Sequence, residues 1–388
     1  MKIAAVTAEF DPLHNGHLHL LSEIRENLRP DILLILLGGD FTQRGKLAFS
    51  DKYTRAKHAV LAGADVVIEL PQLFACACAE RFADAAVKLL SAIDAEEKYI
   101  CFGSESGDLS AIKNAAKILN EEPESMADEM HALLDMGCSY PVARAQAFLH
   151  YAEEHGITIA DPTLPNNILA IEYVRSALRR GDVIPYTVRR EGDYHSGKID
   201  PIAPSASAIR RAVESSASID TYKDALPSYV LSDLHEGVDD HLSPLLLYRL
   251  STMSLEGLKR INDVSEGIEN RIMRLAKEAK NADELVRNVS TKRYTEARIS
   301  RILSCALLGI TKKLFDSEID ADPYYKVLAV QRAKTDILSL FSRSGKVLTG
   351  ETEARESGIP SAEIDAKAHE LYAIAKESPD IEGGMLLL

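Results

Sequence analysis

The sequence predicts an α/β fold, a doubly wound parallel sheet followed by a helical C-terminal half, on three observations. Short runs rich in Ile, Val and Leu recur without polar alternation, as strands covered on both faces should read. Helical stretches separate these runs, and glycine-containing or mixed polar turns close them. The runs fall at 3–6, 32–37, 66–70, 99–102 and 183–188, and the helical stretches at 17–27, 51–62, 80–92 and 109–119. In such sheets ligands bind outside the carboxyl ends of the strands, where Thr7, Gly38, Gly39, Glu69 and Gly103 stand.

Residues 122–180 turn mostly helical, broken at 137–141 and 161–165, and read as an insertion before the last strand. A polar stretch, 191–204, leads into a helix opened by Ser205, Ala206 and Ser207. Past Ser215 no strand signal is legible, and from about residue 243 helical periodicity runs to the C-terminus. The reading is a Rossmann-like unit over 1–216 and an all-helical unit over 217–388.

At 388 residues, with 46% hydrophobic and 27% charged residues, the composition is that of an ordinary globular chain. No apolar run approaches the twenty or so residues needed to cross a bilayer. The chain enters a strand at once, without a signal or transit segment, which points to the cytoplasm. Cys76, Cys78, Cys101, Cys138 and Cys305 are scattered and read as free thiols. Cys76 and Cys78 have no second pair at metal spacing, which argues against zinc. A net charge of −14 argues against general nucleic-acid affinity but leaves room for a local basic segment. Lys292, Arg293, Arg298, Arg301, Lys312 and Lys313, against Glu296, form one.

The most informative stretch is Thr7, Ala8, Glu9, Phe10, Asp11, Pro12, Leu13, His14, Asn15, Gly16, His17, directly after the first strand. A strand, a turn carrying Pro12 and Gly16, and two histidines where a helix begins make a pocket for a nucleotide's phosphates. The helix start offers unpaired N–H groups and the positive end of the dipole. His14 and His17, three apart, can point the same way and donate to phosphate oxygens as charge grows on them. The alternative is an ordinary pair of surface or core histidines.

Other candidates lie at strand ends. The 38–45 loop suits substrate recognition, and Gly103 lets a base or ribose lie against backbone. Asn167 lies one turn before Ile171 on an inward helix face, while Asn166 suits an N-cap. Arg189 and Arg190, beside Tyr194 and His195, are candidate phosphate clamps. Ser205 with Arg210 can hold a second phosphate, the alternative being a plain serine cap. In the C-terminal half, Tyr294, Arg298 and Arg301 at i, i+4 and i+7 share one helix face suited to stacking on an unpaired base. Ile299, Ile302, Leu303 and Ala306 form an apolar face opposite.

The 9–17 turn and the 205–210 segment resemble the two signatures of the HxGH nucleotidyltransferases. Between them stand, in order, Gln43-Arg44-Gly45, Gly63-Ala64-Asp65 to Glu69-Leu70-Pro71, Phe102-Gly103-Ser104 and Pro165-Asn166-Asn167-Ile168-Leu169; Lys292-Arg293-Tyr294-Thr295 and Arg298 complete the set. The ordered set is similar to the bacterial family of tRNA(Met) cytidine acetate ligases. That resemblance implies activation of acetate by ATP, accompanied by Mg2+, as acetyl-adenylate. Transfer of acetyl to N4 of the wobble cytidine of elongator tRNA(Met) follows. By the same matching, the turn from Thr7 through Leu20, Gly103, Asn166, Asn167, Arg189 and Arg190 are nucleotide contacts. The family favours threonine where Ser207 stands and glycine where Ala170 stands. Two other readings stay open: an adenylyltransferase making a nucleotide cofactor, and a non-catalytic RNA-binding protein on a nucleotide fold.

Overall fold

Each apolar run forms a strand: β1 (Lys2–Ala8), β2 (Ile32–Gly38), β3 (Val66–Leu70), β4 (Glu97–Ser104) and β5 (Ile184–Arg189). The computed structural model describes residues 1–190, 199–234, 242–376 and 382–388. β1 is central, pairing in parallel with β2 (Ile3 opposite Ile32) and with β4 (Val6 opposite Cys101). In the order β5-β4-β1-β2-β3 the winding reverses between β4 and β1. That reversal opens a crevice at the carboxyl ends of the two strands.

The connecting helices are α1 (Asn15–Leu28), α2 (Lys52–Leu61), α3 (Gln72–Ala75), α4 (Ala79–Ser91), α5 (Leu109–Glu121), the insertion α6 (Glu124–Asp135) and α7 (Tyr140–Glu154), and α8 (Pro165–Arg180). After β5 come α9 (Ala206–Glu214) and α10 (Ser228–Ser232). Alternate residues of β2 face opposite layers, as a strand's period of two requires. Leu34 and Leu36 pack with Phe82, Ile112 and Val174 from α4, α5 and α8. Leu33, Ile35 and Leu37 pack with Leu21, Ala56 and Ile209 from α1, α2 and α9. The helix starts have local causes. Asp51 accepts the N–H groups of Tyr53 and Thr54 to open α2, and Asp108 does the same for Ser110 and Ala111 at α5.

The C-terminal half, expected to be all helical, is helical over most of its length and also supplies three strands. Its helices are α11 (Leu242–Thr252), α12 (Leu255–Lys259), α13 (Ile268–Leu275), α14 (Ala282–Val289), α15 (Glu296–Leu308) and α16 (Lys312–Ile319). Beyond them lie β6 (Tyr324–Val330), α17 (Ile337–Ser344), β7 (Lys346–Leu348), α18 (Glu351–Glu356), α19 (Pro360–Ala375) and β8 (Leu386–Leu387). β6 runs antiparallel to β3 and extends the sheet, with β7 and β8 parallel to it. Lys326 interrupts the apolar run of β6, which hides the strand from a pattern search. The lysine is fully buried there because carboxylates meet it.

Those carboxylates belong to an ionic core at the β3–β6 seam. Lys326 Nζ lies 2.6 Å from Glu351 and 3.1 Å from Glu69, and Lys52 Nζ lies 2.9 Å from both acids. His369 Nδ1 is 2.9 Å from Asp40, and Asp365 accepts the Gln72 N–H at 2.6 Å. Burial opposes the charge on Lys52, but Glu351, Glu69 and Asp40 outweigh it and raise its pKa. Burial and then the Glu69 charge push Asp365 up to about 8, so this carboxyl is largely protonated at neutral pH. Among the described residues no helix is long and apolar enough to cross a membrane.

Candidate active site

The turn after β1 is held from beneath by one buried guanidinium. Arg55 donates to the backbone carbonyls of Glu9 (2.7 Å), Gly38 (2.9 Å) and Gly39 (2.6 Å), pinning the ends of β1 and β2 together. The sequence reading missed this residue; an arginine on an otherwise ordinary helix carries no local signal. Phe10 takes a left-handed φ of 47°, and the Asp11–Pro12 peptide is cis. Phe10, Asp11 and Pro12 are buried under the turn and shape it, while Thr7 and Ala8 end the strand half-buried. Asp11 accepts the Phe49 N–H at 2.6 Å. Glu9 accepts the Gln43 N–H at 2.6 Å, and burial raises its pKa.

His14 caps α1, its carbonyl receiving the N–H of His17 at 2.8 Å. The two imidazoles stack at 3.7 Å between centroids, and Phe10 sits edge-on to His17 at 4.9 Å. His17 Nδ1 accepts the His14 N–H at 3.2 Å, so its proton resides on Nε2, which becomes a donor. A Cβ on Gly16 would stand 3.2 Å from His14 Cε1, so glycine leaves the stacked rings room that any side chain would crowd. Burial first, then the Arg190 charge, lower the His14 pKa to about 3. Burial, His14 and Arg190 lower that of His17 as well. Both rings are neutral at physiological pH.

A cavity of about 370 Å³ opens beside this pair. Asn15, Gly16, His17, His19, Leu20, Gly103, Arg189 and Arg190 line it, together with Pro204 and with Val188 and residues 201–203, which the sequence reading did not single out. Two glycines give the arginines their course. A Cβ on Gly103 would meet Arg190 Cγ at 2.9 Å, and one on Gly107 would meet Arg189 Cβ at 2.7 Å. Asn15 fastens the far wall by donating to the carbonyls of Pro201 (2.8 Å) and Asp224 (2.9 Å). Tyr194 and His195 lie outside the described residues.

Asn166 is not the cap of α8; it lies in the first turn, after Pro165. Glu105 takes the N–H groups of Asn166 (3.0 Å) and Asn167 (2.7 Å), and the Asn167 side chain accepts those of Glu105 (3.1 Å) and Ser106 (3.3 Å). Asn166 Oδ1 in turn accepts from Arg190 at 3.0 Å. The pair thus clamps the β4 turn and positions one cavity arginine. Ser205 caps α9 by accepting the Ala208 N–H at 3.2 Å, and Arg210 bonds the Asp11 carbonyl and lies 3.3 Å from its carboxylate. The two signature segments therefore touch directly.

The basic helix differs from the expectation. Tyr294 precedes the Thr295 cap of α15 and is buried, its hydroxyl donating to Glu266 at 3.0 Å. It does not share a helix face with Arg298 and Arg301. Arg298 lies over its ring at 5.2 Å, which occupies a face expected to stack on a base. Arg298 and Arg301 both turn to Asp263, at 3.1 and 3.7 Å, while Lys292 and Arg293 are exposed. A spacing rule cannot see the counter-charge that draws these side chains inward.

The neutral histidines have a measurable consequence. Below about pH 6.5 the unfolded chain protonates them while the folded chain does not, so stability present above that pH is lost as pH falls toward about 3. Thermal unfolding without nucleotide should fall steadily from pH 7 to 5, by on the order of 1 kcal/mol per pH unit for His14. The His14→Gln protein should show a flatter profile. An unchanged slope in that variant would remove His14 as its source.

A family model described as HIGH Nucleotidyl Transferase matches residues 1–384. The tRNA(Met) cytidine acetate ligase of Clostridium novyi is 36% identical over 357 residues, 89% of either chain. That of Acetivibrio thermocellus is 37% identical over 364 residues, 89% of this chain and 87% of its own. The crystal structure of Thermotoga maritima TmcAL in its apo form I superposes over the full length of both chains with a TM-score of 0.89 at 27% identity. The form II structure of that protein, bound with alpha-thio ATP, gives 0.88 at 28% over the same extent.

Proposed function

The chain belongs to the HIGH nucleotidyl transferase family and, within it, to the tRNA(Met) cytidine acetate ligases, and from that premise we propose a two-step reaction at the cavity beside His17. ATP and acetate give acetyl-adenylate and pyrophosphate. The acetyl group then passes to N4 of the wobble cytidine of elongator tRNA(Met). The observation that carries this reading is the meeting of an α1 N-terminus, a neutral His17 donor and two arginines around one cavity at the sheet's winding reversal.

Carboxylate attack on the α-phosphate needs no protein nucleophile. It needs alignment, stabilisation of charge growing on the non-bridging oxygens, and a held leaving group. His17 Nε2–H and the first N–H groups of α1 supply donors without adding a fixed charge that would overbind the ground state. Arg189 and Arg190 supply the cationic wall for the outer phosphates. Mg2+ is proposed as an ion carried by the triphosphate, since it keeps several waters and binds through substrate phosphates. The proposed division of labour is ATP chemistry in 1–216 and RNA contact in 217–388, where Lys292 and Arg293 are exposed.

The test is incubation with labelled acetate, ATP and transcribed tRNA(Met). Label on the RNA, with acetate-dependent pyrophosphate exchange in its absence, is the expected result. Exchange that ignores acetate would favour a cofactor-forming adenylyltransferase, and no exchange with any acid would favour a binding protein.

A further inference from the structure

The turn that follows β2 carries one exposed arginine on a fixed backbone. Thr42 N–H donates to the Lys46 carbonyl and Gly45 N–H to the Thr42 carbonyl, each at 2.8 Å. Gly45 has a left-handed φ of +73°, and a Cβ there would stand 2.5 Å from the Arg301 nitrogen and the Ser300 carbonyl carbon. The turn is therefore seated on the backbone of α15, with the Ser304 hydroxyl donating to the Gly45 carbonyl at 2.8 Å. On its other side Gln43 is bound to Glu9 of the catalytic turn and donates its side-chain amide to the Ala77 carbonyl at 2.9 Å. Arg44 stands at the tip, exposed, with no hydrogen bond or ion pair among the described residues.

A second arginine flanks the same spot. Ala77 leads through Cys78 into α4, whose Arg81 likewise has no ion pair among the described residues. The Arg301 charge reaches the Cys78 thiol, and Arg301 Nε is buried with no hydrogen-bond partner. Asp263 is shared between Arg298 at 3.1 Å and Arg301 at 3.7 Å, and Glu9 is taken up by the Gln43 N–H. Lys46 is spoken for by Asp283 at 3.0 Å. In a chain of net charge −14, Arg44 and Arg81 thus stand without an ion pair on two segments that Gln43 ties together, to Glu9 of the catalytic turn and to Ala77.

Resting on the RNA-acetylating reading above, we propose that Arg44 and Arg81, backed by Arg301, bind the phosphodiester backbone of the RNA substrate next to the catalytic turn. A cytidine presented to the adenylate must leave its stack, and fixed phosphates on either side hold it out. Guanidinium suits that task through paired donors on phosphate oxygens. The rigid seat of the turn spares the backbone share of the ordering cost, leaving only the Arg44 side chain to be fixed on binding. Because Gln43 touches Glu9, this contact adjoins the turn after β1, which distinguishes it from the exposed Lys292 and Arg293.

The test measures binding of transcribed tRNA(Met) against potassium chloride for the wild type, Arg44→Ala, Arg81→Ala and Arg44→Lys. Each alanine variant should weaken binding about tenfold at moderate salt and lower the slope of log affinity against log salt by about one. Arg44→Lys should keep the slope. Acetate-dependent pyrophosphate exchange, which uses no RNA, should stay within about twofold and doubles as the check on folding. Unchanged affinity and slope in both alanine variants, with wild-type acetylation intact, overturns the site alone. Exchange that falls in step with RNA binding also overturns it. A wild-type protein that exchanges pyrophosphate but binds no tRNA removes the RNA reading and this site with it.

Discussion

His17→Ala is expected to slow acetate-dependent pyrophosphate exchange by about 10²–10³-fold, the usual effect of deleting one preorganised donor from a site where negative charge develops. The physical basis is the fixed tautomer. His14 N–H occupies Nδ1, so Nε2 carries the proton of a ring that lines the cavity, and burial, then His14 and Arg190, keep the ring uncharged. His17→Gln retains a side-chain N–H and should recover part of the loss. His14→Ala should act differently, because its ring is buried behind His17 and not in the cavity wall. That variant removes the stacked support and should lower both exchange and thermal stability. Neither change should move tRNA affinity beyond about twofold. Exchange within threefold of wild type for both alanine variants would mean the imidazoles are packing elements, and the proposed chemistry would need another donor.

Lys326→Met should destabilise the fold by about 3–5 kcal/mol, read as a shift of the urea midpoint at constant slope. Methionine fills the volume, so the effect isolates charge. Glu69 and Glu351, both fully buried, would lose one of the two ammonium groups that balance them. The same substitution loosens β6 from β3, the seam that joins the C-terminal half to the sheet. Adding Glu351→Gln removes the uncompensated anion, and the double variant should recover part of the loss instead of summing the two single effects. A loss under about 1 kcal/mol for Lys326→Met would show that water or a protonation change relieves the network.

Much of the fold was open to a reading of local pattern. Residues 32–37 and 66–70 are apolar without alternation because both of their faces are covered, and that requirement is written in consecutive residues. Gly16 beside His14, and Ser205 at the start of α9, act within a few residues of themselves, so turn and cap chemistry exposed them. β6 was hidden for the opposite reason. Its seven residues read as a broken run until Glu69 and Glu351, from 257 positions before and 25 after, neutralise Lys326. Arg298 and Arg301 misled for the same cause, since helical spacing says which way a side chain points but not that Asp263 awaits it.

By itself, then, the chain's order of residues determined the first five strands, the histidine turn and the family to which they belong. All of these depend on neighbours in sequence and on backbone geometry. Which cations are free, which are paired, and which arginines reach the cavity were decided only in the tertiary structure. Electrostatic partnership depends on distance through space, and here the partners lie tens to hundreds of residues apart along the chain.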